Sequence, residues 1–206
     1  MPRVSAQHLA ARRQQILDAA RVCFGRNGFH ATSMQDIIRE AGMSVGAVYR
    51  YFPSKDALIA EIAQEVVGPA AALLEELAQR EPVPGLDDAM IIVIDAMEPG
   101  FDPDGVLRIA IQVWAEAIRD PNLATLAAGV FGVMRGQLAV LAGRLRDAGG
   151  LPAGTDPAAI AGALFALVPG YAVQRMVTGS PDRAAFTGAV RTLLAPFRLQ
   201  ATPTAG

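Results

Sequence analysis

The sequence predicts an all-α protein of about nine helices. Three observations carry that prediction. Apolar residues recur at helical spacing along the chain, and no segment shows convincing strand alternation. Asp102-Pro103, Asp120-Pro121, Asp156-Pro157 and Ser180-Pro181 each set a capping residue before proline, which marks the start of a helix. Between residues 30 and 55, two short helical segments meet at a tight glycine turn, with a longer helix on either side.

Each element follows in order. Ile16, Ala20, Cys23 and Phe24 share one face of a first helix, which stops at Asn27-Gly28. Met34, Ile37, Ile38 and Ala41 define a second helix. Thr32, with Gln35 three residues later, predicts its capping box. Gly42 ends that helix at a position that needs a left-handed residue. Ser44 caps a third helix, which ends near Phe52-Pro53. Ser54 caps a fourth that turns Ile59 and Ile62 inward. Gly68-Pro69 predicts a kink or interruption in this fourth helix. A further helix spans residues 86–98, and the proline pairs place starts at about 102, 120, 156 and 180. Residues 201–206 are expected to form a disordered tail.

Composition narrows the function. The 206 residues are 52% hydrophobic, enough for a sizeable core. One cysteine, Cys23, builds neither a disulfide framework nor a zinc site within one chain, and it reads as a small buried apolar group. The N-terminal MPRVSAQHLAARRQQ lacks the apolar stretch of a signal peptide, so a cytoplasmic address is expected. The uncharged run at 157–174 approaches a membrane span. Its Ala and Gly content and Pro169 favour a helix buried on several sides, and no membrane partner is expected. The two histidines, His8 and His30, lie near the N-terminus without a P-loop, a dinucleotide fingerprint or a zinc-protease motif. No enzyme, catalytic residue, metal or cofactor is therefore expected.

Charge is unevenly spread. Residues 1–55 hold eight positive and three negative side chains, and the remainder holds ten and seventeen. A basic N-terminal quarter on an acidic body points to an anionic partner.

The stretch SVGAVYRYFPSKDAL, residues 44–58, gives that partner a shape. Val48 and Phe52 are four apart and face a core, with Met43 beneath the turn. Tyr49, Arg50 and Tyr51 then point outward. A tyrosine hydroxyl donates to a phosphate oxygen, and an arginine forks onto phosphate or guanine.

Residues 16–58, ILDAARVCFGRNGFHATSMQDIIREAGMSVGAVYRYFPSKDAL, resemble the TetR family of bacterial transcription regulators. The shared landmarks are the Ala-rich first helix ending in Phe, the Gly-Phe pair, the Ala-Thr-Ser start, the Ile-x-x-x-Ala-Gly second helix, and the Tyr-x-Tyr-Phe-x-x-Lys exit. Ala47 departs from the frequent family threonine, so one hydroxyl is missing. Cys23-Phe24 replaces the usual Leu-Phe.

The resemblance implies a helix-turn-helix DNA-binding head at 1–55 and a ligand-binding and dimerisation domain at 56–200. It implies that Tyr49, Tyr51 and Lys55 meet the DNA backbone. Gln35, Val45, Gly46, Ala47 and Arg50 then approach bases or the groove wall, with Gln35 and Arg50 carrying most of the hydrogen-bonded readout, and Ser44 is a further DNA-binding candidate. Thr32 or Ser33 would hold phosphate at the start of the second helix. The basic arm with Arg12 and Arg13 lies near the same surface.

In such a protein the last two helices pair with those of a second copy. Leu164, Phe165, Leu167, Val168, Tyr171, Val190, Leu193, Leu194 and Phe197 are the candidate homodimer residues. Met90, Met97, Phe101, Trp114, Phe131 and Met134 are the candidate lining of a pocket for a small, mainly apolar effector, with Asp95, Gln112, Glu116 and Gln137 as polar handles. The expected activity is repression, released from a palindromic double-stranded operator by that effector. The alternatives are an activator, or a helical small-molecule-binding protein that no longer binds DNA.

Overall fold

The computed structural model describes residues 6–102 and 105–195, apart from the side chains of residues 66 and 67. The described residues form nine α-helices and no strand. They are α1 (Ala6–Asn27), α2 (Met34–Ala41), α3 (Val45–Tyr51), α4 (Lys55–Gln79), α5 (Leu86–Met97), α6 (Val106–Ala117), α7 (Pro121–Asp147), α8 (Pro157–Thr178) and α9 (Arg183–Leu194). A short 3-10 turn, Glu98–Phe101, follows α5. The expected tail at 201–206 and Phe197 fall outside the described residues.

The helices gather into two compact units. One holds the described residues of Met1–Val66 and Gly100–Ala128, and the other holds those of Val67–Pro99 and Gly129–Gly206. The chain thus divides later than residue 55, and the first unit recruits α6.

The first unit is built around Ile16, Leu17, Phe24, Phe29, Ile37, Val48, Phe52, Leu58 and Ile62, all buried. Ile109 and Val113 of α6 complete the same core. In the second unit, Leu74 and Leu77 of α4, Met90 and Ile94 of α5, Leu138 and Leu145 of α7, and Leu164 and Tyr171 of α8 are buried. The Tyr171 hydroxyl donates to Glu98 at 3.0 Å, and the Arg175 guanidinium donates to both Glu98 oxygens at 2.6 Å. Burial, and then the bond to Glu98, pushes the Tyr171 hydroxyl above its ordinary value. The Phe186 ring stacks on Tyr171 at 4.4 Å.

Three sequence expectations shift in detail. The start expected at 102 falls at Val106 with Gly105 as the cap, after the 3-10 turn. The start expected at 180 falls at Arg183, because Asp182 and not Ser180 caps it, accepting from the Ala185 amide at 2.8 Å. Pro69 does not interrupt α4, which runs from Lys55 to Gln79.

Among the described residues, three helices are long and apolar enough to cross a membrane by length and composition: Lys55–Gln79, Pro121–Asp147 and Pro157–Thr178. The run expected to be buried on several sides lies in α8. That helix buries only the face with Ala161, Leu164, Tyr171 and Ala172.

Candidate nucleic-acid interface

The reading surface begins with a capped short helix. Ser33 precedes α2 in extended backbone, and its hydroxyl accepts from the Asp36 amide at 3.2 Å. The Asp36 carboxylate accepts from the Ser33 amide at 3.0 Å and from its hydroxyl at 2.6 Å. These bonds hold the Asp36 carboxyl below the usual carboxylate range. The capping box is therefore Ser33 with Asp36, one residue later than the Thr32 and Gln35 pair read from the sequence.

Thr32 is only 1% exposed, and its hydroxyl donates to the carbonyls of Gly28 at 2.7 Å and Cys23 at 3.1 Å. That hydroxyl serves the head's interior and does not reach a phosphate. The Ser33 amide and hydroxyl are engaged by Asp36.

The turn after α2 follows the sequence closely. Gly42 sits at φ 62°, a left-handed conformation open to glycine at little cost, and its amide returns to Arg39 and Ile38. The Ser44 hydroxyl accepts from the Ala47 amide at 3.3 Å and starts α3. Val48 and Phe52 are buried, so α3 is pinned by its i, i+4 pair. That pinning exposes Val45, Gly46, Tyr49 and Arg50, with Gln35 exposed on α2. Nothing lies within 4 Å of a side-chain atom built at Gly46, so this part of α3 is open to close approach. Ala47 is partly buried. Tyr51 is also partly buried, packed on the head's core, so its ring is less available than that of Tyr49.

The cations are less available than their number implies. Lys55 Nζ donates to the carbonyls of Phe29 at 2.8 Å and Thr32 at 2.9 Å, and lies 4.4 Å from the Phe29 ring centroid. Its donors point into the α1–α2 turn, so Lys55 has a structural role beside the phosphate contact expected of it. Arg13 pairs with Glu61 and stacks over Phe52, and Arg21 pairs with Glu65 and Asp18. Arg13 holds the Glu61 carboxyl below its usual range. Arg26 pairs with Glu40, and Arg39 with Asp36, both at 3.5 Å. Arg12 donates to Gln15 at 3.0 Å. Glu61 and Glu65 lie beyond residue 55, so the basic bias of the first 55 residues is partly neutralised by α4. Among the described residues Arg50 makes no ion pair, and it is exposed on α3.

The remaining candidate residues separate by burial. Leu164, Tyr171 and Val190 are buried within the second unit, so they do not form an outer face. Phe165 packs on Phe131 with ring centroids 4.9 Å apart, and Leu167, Val168 and Leu194 are partly buried. Leu193 is 68% exposed. On α8 the outer face is instead the line Ala159, Ala163, Ala166, Gly170, Val173 and Val177, at alternating spacings of three and four; Gly170 is partly buried and the others are exposed, Val177 to 76%. Large side chains marked the core, and the small ones mark the exposed stripe.

Of the candidate pocket residues, Met90 and Met134 are buried, and Met97 and Phe131 are partly buried, all in the second unit. Phe101 and Trp114 belong to the first unit. Two of the polar handles are already engaged. Asp95 accepts from Arg183 at 2.7 Å, which holds its carboxyl low. Gln112 accepts from the Phe29 amide at 2.7 Å. Sequence reasoning missed that Gln112 serves the head. The available signal was Ile109 and Val113 flanking it at helical spacing, on a face that buries against α1.

Comparisons with known proteins fit this geometry. The profile described as bacterial regulatory proteins, tetR family, matches residues 16–62, and that described as BetI-type transcriptional repressor, C-terminal, matches 87–197. The HTH-type transcriptional repressor Rv1474c of Mycobacterium tuberculosis is 40% identical over 98 residues, 48% of this chain and 50% of the relative. The match spans about half the length of such curated relatives. Salmonella enterica GusR superposes with a TM-score of 0.78 at 26% identity, covering 94% of this chain and 97% of that one. The SmeT–triclosan complex superposes with a TM-score of 0.75 at 26% identity, covering 89% and 91%. Rv1474c and SmeT are both named as repressors. The chain belongs to the tetR family of bacterial regulatory proteins, with a C-terminal part of the BetI type.

Proposed function

We propose that this chain represses transcription by binding a palindromic DNA operator as a homodimer, and that a small, mainly apolar molecule in its second unit releases it. The observation that carries the reading is the outer face of α3. Val48 and Phe52 fix the helix from within, which leaves Val45, Gly46, Tyr49 and Arg50 exposed beside Gln35 of α2. Small residues at 46 and 47 let the helix sit deep in a major groove. Arg50, which makes no ion pair among the described residues, can fork onto guanine, Gln35 can pair with adenine, and Val45 meets thymine methyls. Tyr49 supplies a phosphate contact.

Dimerisation follows from the same need. One head of this size reads only a few base pairs, and two heads spaced by one helical turn read a palindrome with useful affinity. The exposed small-residue stripe of α8, with Leu193 of α9, supports that pairing. Helices lined by Ala and Gly approach closely, and burying Val173 and Val177 removes apolar surface from water. The SmeT complex with triclosan supports a small-molecule effector.

The test is selection of bound duplexes from a random pool by the purified full chain at stated salt. The expected result is enrichment of an inverted repeat. A folded, dimeric protein that enriches no sequence, even after refolding without ligand, would overturn the reading.

A further inference from the structure

We propose that Gln112 of α6 is a positioning residue for the DNA-reading helices: its side-chain oxygen holds the α1–α2 turn from which α2 starts. The inference rests on the reading of α2 and α3 as the DNA surface.

The turn runs from Gly28 to Thr32, and the backbone polar groups of Gly28, Phe29 and Thr32 are engaged. The Gly28 amide donates to the Phe24 carbonyl at 2.9 Å. The Gly28 carbonyl accepts from the Thr32 amide at 3.2 Å and hydroxyl at 2.7 Å. The carbonyls of Phe29 and Thr32 accept from Lys55. The Phe29 amide donates to Gln112 Oε1 at 2.7 Å.

Gln112 is the one bond in this set that comes from outside α1 to α4. Three features show a fitted contact. Gly28 lies at φ +82°, and a side-chain atom built there would stand 3.2 Å from Gln112 Oε1, so glycine admits the approach. Phe29 is buried, so its amide is poorly placed to find water instead. Ile109 and Val113, three residues before and one after Gln112, are buried in the head's core and fix the rotation of α6.

The turn in turn sets α2. Thr32 precedes the Ser33 cap directly, so displacing the turn displaces the cap and the exposed Gln35. The chain enters the first unit at Gly100, forms α6, and leaves after Ala128. Gln112 therefore ties the placement of α2 to α6 within the first unit.

The test compares Gln112→Met and Gln112→Glu in the full chain. Methionine fills the same space without the acceptor, and glutamate keeps an acceptor at the same reach. Two readouts are taken at neutral pH: hydrogen exchange of the Phe29 amide, and affinity for the duplex enriched by the wild-type protein. Gln112→Met is expected to speed Phe29 exchange and weaken duplex binding about tenfold, the scale of one buried amide left without its acceptor. Gln112→Glu is expected to keep both within about twofold, since an ionised acceptor bonds at least as well. A space-filling role would make methionine as good as glutamate. Wild-type behaviour in Gln112→Met, equal loss in both variants, or faster exchange with unchanged binding would each overturn the proposal. If the wild type enriches no duplex, the DNA reading fails, and Phe29 exchange alone decides whether Gln112 holds the turn.

Discussion

Replacing Lys55 by methionine separates two roles that give opposite results. As a phosphate contact, Lys55 would weaken binding to all sequences alike when lost and lower the salt slope by about one. Stability would hardly change. The structure places its ammonium on the Phe29 and Thr32 carbonyls at 2.8 and 2.9 Å, and 4.4 Å over the Phe29 ring. A hydrogen bond to a charged donor contributes about 1.5–3 kcal/mol when shielded, and a cation over an exposed ring adds about 0.5–1 kcal/mol. Lys55 is partly exposed, so solvent screens part of this contribution. The net loss should therefore be about 2 kcal/mol, below the sum of the parts. In a chain of this size that lowers the midpoint of thermal unfolding by about 4–8 °C. The assay pairs thermal unfolding with duplex binding at several salt concentrations. An unchanged midpoint with a salt slope reduced by one would refute the assignment.

Other substitutions probe the rest of the account. Arg50→Ala should cost about 1–3 kcal/mol of duplex binding and relax preference at one base position, read by repeating the selection. Its unfolding midpoint should not move, because Arg50 makes no ion pair among the described residues. Asp36→Asn should destabilise the head at pH 7. The folded Asp36 carboxyl is held low, so its contribution is present above the ordinary aspartate value, about pH 4, and is lost as pH falls through the lower folded value. The gap between variant and wild type in denaturant unfolding should accordingly close in acid. Val177→Glu with Leu193→Glu should turn a dimer into a folded monomer by sedimentation, since both residues are exposed on the proposed pairing face. An unchanged mass would move the interface elsewhere.

The helical order of the head was legible because its signals are local. Gly42, Ser44 and Ser54 terminate or start helices through bonds to residues within a few positions, and those bonds form. Local signals blur where two capping residues compete. Ser33 with Asp36 displaced Thr32 with Gln35, and Asp182 displaced Ser180. The bonds of Lys55 to the α1–α2 turn were not legible because its partners lie 23 to 26 residues back and are backbone carbonyls, which carry no side-chain signature. Gln112 is a longer case of the same kind, 83 residues from Phe29. On α8 the sequence shows two apolar faces without saying which one turns inward. The neighbouring helices settle that: Leu164 and Tyr171 fill their own unit, and the alanine, glycine and valine stripe remains outside. The exposed residues of α3 were readable because Val48 and Phe52 orient a seven-residue helix almost unaided.

The central claim is that two copies of α3 enter two successive major grooves. Methylation interference at guanine N7, which faces the major groove, tests it directly on the duplex recovered by selection. The account predicts two symmetric clusters of interfering guanines on one face of the duplex, about 10–10.5 base pairs apart or a multiple of that. A single cluster, or binding that tolerates every N7 methyl group, would contradict it.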